Sequence, residues 1–138
     1  MWSESVCPAA QTKMTERQRE RFREGIELFN SGRFFDCHEA LEEVWLEFSG
    51  DRKKFLQGLI QLTVALHHLG NGNRVGAERL LEAAVRKLAL RSPERELIDV
   101  DGLLAAVRPL LERIRAGDET LETPPQILWK ETRNLPAR

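Results

Sequence analysis

The feature that most constrains the fold is a pair of glycine turns 40 residues apart, each flanked by apolar residues at helical spacing. A shift of 40 positions superposes Gly32 on Gly72. The same shift pairs Phe22 with Leu62, Ile26 with Leu66, Phe29 with Leu69, Leu41 with Leu81, Trp45 with Val85 and Phe48 with Leu88. Residues three and four apart share one helix face, and glycine suits the left-handed position that ends a helix. The pattern therefore predicts two similar helical hairpins.

The predicted fold class is all-α, a compact bundle of about five helices built from these two pseudo-repeated hairpins plus a C-terminal helix. The helices are predicted at 15–30, 36–48, 52–69, 77–90 and from 101 to before Gly117. Thr15 opens the first, a variant capping box at residues 36–39 opens the second, and Asp101 caps the fifth. Pro109 is expected to kink the fifth helix. The hairpins resemble tetratricopeptide repeats, although two copies are too few for a solenoid and the usual period is ~34 residues.

The domain organisation predicted from the pattern is one helical domain at 14–117 between two tails. Residues 1–13 lack periodicity and are expected to form a flexible tail. Residues 118–138 are expected to form an extended tail, in which Pro124-Pro125 precedes Ile127-Leu128-Trp129. Three consecutive large apolar residues are costly to leave in water, so this triplet is predicted to dock on the helical body or on a neighbouring subunit.

Composition excludes several classes of protein. The 138 residues carry 21 basic and 22 acidic side chains that alternate along the chain, which argues against a nucleic-acid partner. An apolar run long enough for a membrane span is missing from the sequence, so a membrane is not expected either. Two cysteines, Cys7 and Cys37, are too few for a disulfide framework. A soluble protein of the cytoplasm is the prediction.

Polar residues on the apolar stripes of the two middle helices mark the candidate site. His38 and Glu42 share a face with Trp45, and Gln57 and Gln61 share one with His68. Burying such groups costs free energy unless each finds a partner, so a buried network between the second and third helices is predicted. The candidate set is His38, Glu39, Glu42, Trp45, Gln57, Gln61, His68 and Asn73.

Three segments together resemble a known family. They are Phe34-Phe35-Asp36-Cys37-His38-Glu39-Ala40-Leu41-Glu42-Glu43-Val44-Trp45, Gln57-Gly58-Leu59-Ile60-Gln61, and His68 followed by Asn73-Arg74-Val75-Gly76-Ala77. This pattern resembles the bacterial and archaeal family called domain of unknown function 309, over roughly residues 22–90. The resemblance implies a small helical bundle and brings no established activity, substrate or cofactor.

Function is therefore predicted from the residues alone, with three hypotheses. The favoured one is a non-enzymatic binding or protein-interaction module, whose partner is another protein or a second copy of the chain. The alternative is a metal-dependent, hydrolase-like enzyme that uses His38, Glu39 and Glu42 with His67 or His68. A third is a small-molecule pocket lined by Trp45, Gln57 and Gln61.

No metal or cofactor is predicted. The sequence His38-Glu39-x-x-Glu42 lacks the second histidine of a zincin helix, and the Glu-x-x-His motifs of a ferritin-like site cannot be assembled. In antiparallel helices, His68 also lies ~9 Å beyond the level of His38.

Overall fold

The computed structural model describes residues 14–118 and 123–130. The predicted tail at 1–13, including Cys7, lies outside the described residues, as do positions 119–122 and 131–138 of the predicted C-terminal tail. The elements are α1 (Glu16–Asn30), α2 (Phe34–Trp45), α3 (Gly50–Gly70), α4 (Arg74–Leu88), a 3-10 helix (Pro93–Glu96) and α5 (Val100–Arg115). Within the described residues, extended pairing is limited to one isolated antiparallel bridge. For residues 14–118 and 123–130, the predicted all-α bundle with five α-helices is confirmed. None of these helices is both long and apolar enough to cross a bilayer.

The two hairpin turns have the same backbone geometry. Gly32 has φ of +80° and Gly72 has φ of +79°, both in the left-handed region. The next amide donates back across each turn, from Arg33 N to Leu28 O at 2.9 Å and from Asn73 N to His68 O at 2.8 Å. The glycine amide donates to the residue three positions before it in both cases, which completes a Schellman motif. The pseudo-repeat is therefore a repeat of local structure as well as of apolar pattern.

The first two helix starts differ in how well the sequence predicted them. Thr15 caps α1 as predicted, with its hydroxyl accepting from Gln18 N at 3.1 Å and its amide donating to Gln18 Oε1 at 2.9 Å. The predicted capping box at Asp36 is wrong. The Schellman turn places Arg33 at the N-cap, so α2 begins at Phe34, and Asp36 pairs with Arg33 instead.

Helix α3 is central, as its broadly apolar sequence predicted. It packs against α2 on one side and α4 on the other, while α1 packs on α2 and α5 on α4. Its buried residues are Phe55, Leu56, Gly58, Leu59, Leu62, Thr63, Ala65, Leu66 and Leu69. The α2–α3 and α3–α4 interfaces therefore set the surroundings of the candidate residues.

The fifth helix starts two residues earlier than predicted. Asp99, rather than Asp101, is the N-cap, and its Oδ1 accepts from Gly102 N at 3.0 Å. The Asp99 amide donates to Leu128 O at 2.8 Å, so the docked tail helps to hold the cap in place. Pro109 lies inside α5, which stays helical to Arg115.

The predicted docking of the apolar triplet on the helical body is confirmed. Ile127 is buried in the core, and the Trp129 ring meets Phe22 edge-on at 6.0 Å between centroids. Leu128 points outward and is 62% exposed. The segment therefore covers the end of the bundle where α1 ends and α5 begins.

Candidate functional site

A cleft of about 190 Å³ lies where the start of α2 meets the end of α3. Phe34, Phe35 and His38 line it from α2, and Val64 and His67 line it from α3. The antiparallel course of the two helices brings these ends together, as the hairpin pattern predicted. The surface that lines the cleft is mostly apolar, and it includes the imidazoles of His38 and His67.

Phe35 is the most unusual residue of this cleft. Cys37, Leu41 and Val44 form the stripe of α2 that faces the core. Phe35 is offset from Cys37 by two positions, about 200° around the helix, so it points away from that core. It is 57% exposed, and its ring lies 6.1 Å from that of His38 and 6.2 Å from that of His67. A large apolar ring thus stands in water between two imidazoles.

The predicted His/Glu/Gln network is only partly buried, and among the described residues no hydrogen bond joins His38 or Glu42 to Gln57 or Gln61. His38, Glu42, Gln57 and Gln61 are all partly exposed. His38 Nε2 lies 4.0 Å from Glu42 Oε2 on the same helix, with side chains 28% and 47% exposed. These residues border the apolar stripes rather than lying on them, because Cys37, Ala40, Leu41 and Val44 occupy the buried face of α2.

Thr63 makes the buried polar contact between α2 and α3, and the sequence analysis missed it. Cys37 Sγ lies 3.6 Å from Thr63 Oγ1, which also donates to Leu59 O at 2.8 Å. Burial raises the pKa of the Cys37 thiol to about 11, although the Thr63 hydrogen bond opposes the shift. Both residues lie on the apolar stripes of their helices, and this position in the sequence could have predicted that they are buried. A neutral, buried thiol is not a nucleophile at neutral pH.

The glutamine pair belongs to the other face of α3. Gln61 Oε1 accepts from Lys87 Nζ on α4 at 3.2 Å. A Cβ added at Gly58 would lie 2.9 Å from Lys87 Cβ, so the glycine of the Gln-Gly segment allows α4 to approach closely. The glutamines therefore border the α3–α4 contact, away from the cleft.

Trp45 lies at the opposite end of α2 from the cleft. Lys53 Nζ stands 4.4 Å from the centre of its ring, and the indole Nε1 is buried without a hydrogen-bond partner among the described residues. Trp45 and Gln61 thus have different neighbours, which gives the small-molecule pocket predicted between them no support.

Asn73 has a structural role at the start of α4. Its side-chain oxygen accepts from Gly76 N at 3.0 Å and caps α4. His67 Nε2 lies 3.2 Å from Asn71 Nδ2, and its ring lies 6.3 Å from that of His68. Of the two histidines, His67 lines the cleft and His68 does not.

The ligand set of the metal hypothesis is not assembled in the part of the chain that the structure describes. There, no group of three or more His, Cys, Asp or Glu side chains is placed to hold a metal ion. His38 and His67 do share the cleft, whereas Glu39 is exposed on the outer face of α2.

The outer face of α2 is acidic. Between Phe34 and Trp45 the chain has four acidic residues and no lysine or arginine. Arg33 pairs with Asp36, and Arg21 binds Glu43 and lowers the pKa of that carboxyl. Among residues 14–118 and 123–130, Glu39 makes no ion pair, and it lies one turn after Phe35 on the same face. An acidic helix face thus adjoins the cleft.

Comparison with known proteins places the five residues that line the cleft in one matched segment. Residues 22–80 match the family model "Domain of unknown function (DUF309)", which confirms the resemblance seen in the sequence. "Uncharacterized protein YpuF" of Bacillus subtilis (strain 168) is 37% identical over 92 residues, 64% of this chain and 53% of that protein. An "Uncharacterized protein" of Aquifex aeolicus (strain VF5) is 30% identical over 114 residues, 82% of this chain and 33% of that protein. The chain thus spans about half and one third of these relatives.

Proposed function

We propose that residues 22–80, the segment that matches DUF309, form a non-enzymatic protein-interaction module whose contact site is the cleft between α2 and α3. The observation that carries this proposal is Phe35, which is 57% exposed beside a mostly apolar cleft. Phe22, Phe29 and Phe55 are fully buried in the same chain. Burying one such side chain contributes about 1.5–3 kcal/mol, and aromatic residues, phenylalanine among them, are enriched in protein interfaces.

The partner's chemistry follows from the cleft and the acidic helix face that adjoins it. The apolar walls favour one bulky aliphatic or aromatic side chain that packs between Phe35 and Val64. Glu39, which has no ion pair among the described residues, and the partly exposed Glu42 favour a lysine or arginine close to that anchor. We therefore infer a protein segment in which a bulky apolar residue stands beside a basic one.

A peptide-display selection on the immobilised full chain tests the proposal. Enriched peptides should combine a bulky apolar residue with an adjacent lysine or arginine. Phe35→Ala should weaken the best peptide at least tenfold, and Glu39→Gln should weaken it less, with a loss that disappears at high salt. Leu46→Ala is the matched control, because Leu46 is an equally exposed apolar residue (64%) just beyond the opposite end of α2. Selected peptides that bind the Phe35→Ala variant as tightly as the wild type would contradict the proposal.

The metal-dependent enzyme is the second candidate, and the shared cleft of His38 and His67 is the observation that favours it. Elemental analysis of protein purified without chelator distinguishes the two. About one zinc, iron or manganese per chain, lost in His38→Ala, would make the enzyme the better reading.

Cellular context and architecture complete the proposal. A cytoplasmic location is supported by the free, buried Cys37. A partner that is a protein or a second copy of the chain, rather than a nucleic acid, is supported by the near balance of 21 basic and 22 acidic residues. The likeness to tetratricopeptide hairpins is supported by the two matching Schellman turns.

A further inference from the structure

Residues 124–130 lie in a groove at the end of the bundle, with side chains that alternate in and out. Pro125 and Ile127 are buried, whereas Gln126 and Leu128 are exposed. Trp129 is half-buried against Phe22. This period of two is that of an extended strand, so the groove receives every second side chain of the segment.

The groove holds the segment mainly through its backbone. Asn30 Nδ2 donates to Ile127 O at 2.8 Å, and Ile127 N donates to Asn30 Oδ1 at 2.7 Å. One side-chain amide thus makes both bonds that a neighbouring strand would make. On the other side, Asp99 N donates to Leu128 O and Lys130 N donates to Leu97 O, both at 2.8 Å. Four hydrogen bonds therefore bind main-chain atoms of the segment, and these bonds do not depend on which side chains the segment carries.

We propose that this groove, formed by Asn30, Phe22 and residues 97–99, is a peptide-docking site for an extended segment of a partner protein, and that residues 124–130 occupy it in cis. Main-chain hydrogen bonds supply affinity for any extended backbone, and the inward positions supply selectivity. The seated segment defines the partner's chemistry, a proline followed two and four residues later by an aliphatic and an aromatic residue.

Because residues 124–130 already occupy the groove, a partner segment can bind only by displacing them. A tethered segment competes at an effective concentration in the millimolar range, so a partner must bind more tightly or act on a loosened tail. The site uses none of the α2–α3 cleft residues, so it is independent of the proposed function.

Peptide binding to full-length variants tests the proposal. The probe is a fluorescent peptide with the sequence of residues 123–130, and the host is Ile127→Asp, which places a charge in the buried position and frees the groove. The peptide should bind this host saturably, and the wild type at least tenfold more weakly. Adding Asn30→Ala to the host should reduce binding at least tenfold, whereas adding Phe35→Ala should leave it unchanged.

Two results would overturn the proposal. One is equal binding to the wild type and to Ile127→Asp, and the other is the absence of binding to a host that circular dichroism shows to be folded. If Ile127→Asp does not fold, Ile127→Ala serves as host, because it removes the buried anchor of the segment without burying a charge, and the peptide should again bind it more tightly than the wild type. Dimerisation of the wild type that Asn30→Ala abolishes would identify a second copy, rather than another protein, as the occupant.

Discussion

Neighbouring residues on α2 have opposite environments. Cys37 lies on the stripe that faces α3 and is fully buried, whereas His38, the next residue, lines the solvent-facing cleft. The helical rotation of about 100° per residue points the two side chains in different directions, so one faces the core and the other faces the cleft. Each of the two side chains therefore has to be tested by its own measurement.

The buried thiol makes stability depend on pH in the alkaline range. Burial raises the pKa of Cys37 to about 11 from its ordinary value of 9.0, so the unfolded chain loses this proton first. The protonated thiol therefore contributes stability below about pH 9 that is lost as pH rises toward 11. A full loss corresponds to about 2–3 kcal/mol, since each pKa unit is worth about 1.4 kcal/mol.

Urea unfolding at pH 8 and pH 10 measures this effect. The wild type should lose more unfolding free energy over that range than Cys37→Ala, in which the titrating thiol is gone. Equal losses in both proteins would show that Cys37 ionises as readily in the folded chain as in the unfolded one.

Glu94 holds the buried ion pair of the bundle. Its carboxylate is 1% exposed and accepts from the Arg52 guanidinium, the closest contact being 2.8 Å, and from Ser92 Oγ at 2.7 Å. The Arg52 side chain is 15% exposed and lies over the Phe48 ring at 3.8 Å. We expect Glu94→Ala to lower the unfolding free energy by about 3–5 kcal/mol, because it removes the buried carboxylate that offsets the charge of a largely desolvated guanidinium.

The exposed pair of Arg17 and Glu47 is the matched control for that variant. Its side chains are 63% and 38% exposed, so Glu47→Ala should lower the unfolding free energy far less than Glu94→Ala does in chemical denaturation. Similar losses in Glu94→Ala and Glu47→Ala would contradict the assignment of Glu94 to a buried structural role.

At the scale of the elements, the two turn glycines should be equally important. An alanine at Gly32 or Gly72 would have to adopt φ near +80°, which costs an L-residue about 1–2 kcal/mol. Because the two turns share one hydrogen-bond pattern, Gly32→Ala and Gly72→Ala should lower the unfolding free energy by the same amount within about 0.5 kcal/mol.

Gly70→Ala is the control for the turn variants. Gly70 is the last residue of α3, and an added Cβ there meets open space. It should therefore stabilise the protein by about 0.5–1 kcal/mol, the usual difference in helix propensity. A stabilising effect of Gly32→Ala or Gly72→Ala would show that these turns tolerate another backbone conformation.

At the scale of the whole molecule, the docked tail is expected to stabilise the bundle. Deleting residues 122–138 removes the buried Ile127 and uncovers the edge of Phe22 that Trp129 contacts. The lost burial is worth at least about 2 kcal/mol, so the melting temperature should fall by about 5 °C or more, and the uncovered groove should promote self-association.

The control for the deletion is Leu128→Ala, which removes an outward-facing side chain from the same segment. Its melting temperature should stay within about 1 °C of the wild type. An unchanged melting temperature and oligomeric state after the deletion would mean that the tail contributes nothing to the stability of the body.

The helical content, the two similar hairpins and the docking of the apolar triplet could be predicted from the sequence. Each depends on local rules, namely the 3.6-residue period of apolar residues, the left-handed preference of glycine and the cost of leaving large apolar groups in water. Thr15 could be recognised as an N-cap for the same reason, since its capping partner Gln18 is three residues away.

The partners of the polar side chains were decided by the tertiary structure. Cys37 meets Thr63, Gln61 meets Lys87 and Arg52 meets Glu94, and each pair is separated by 26 to 42 positions. A stripe shows which face of a helix is buried, but the neighbour of a residue at its border depends on how adjacent helices rotate and approach. The predicted network failed there, because His38 and Glu42 lie just outside the buried stripe, and only the packing of α2 on α3 placed Phe35 and the two imidazoles around one cleft.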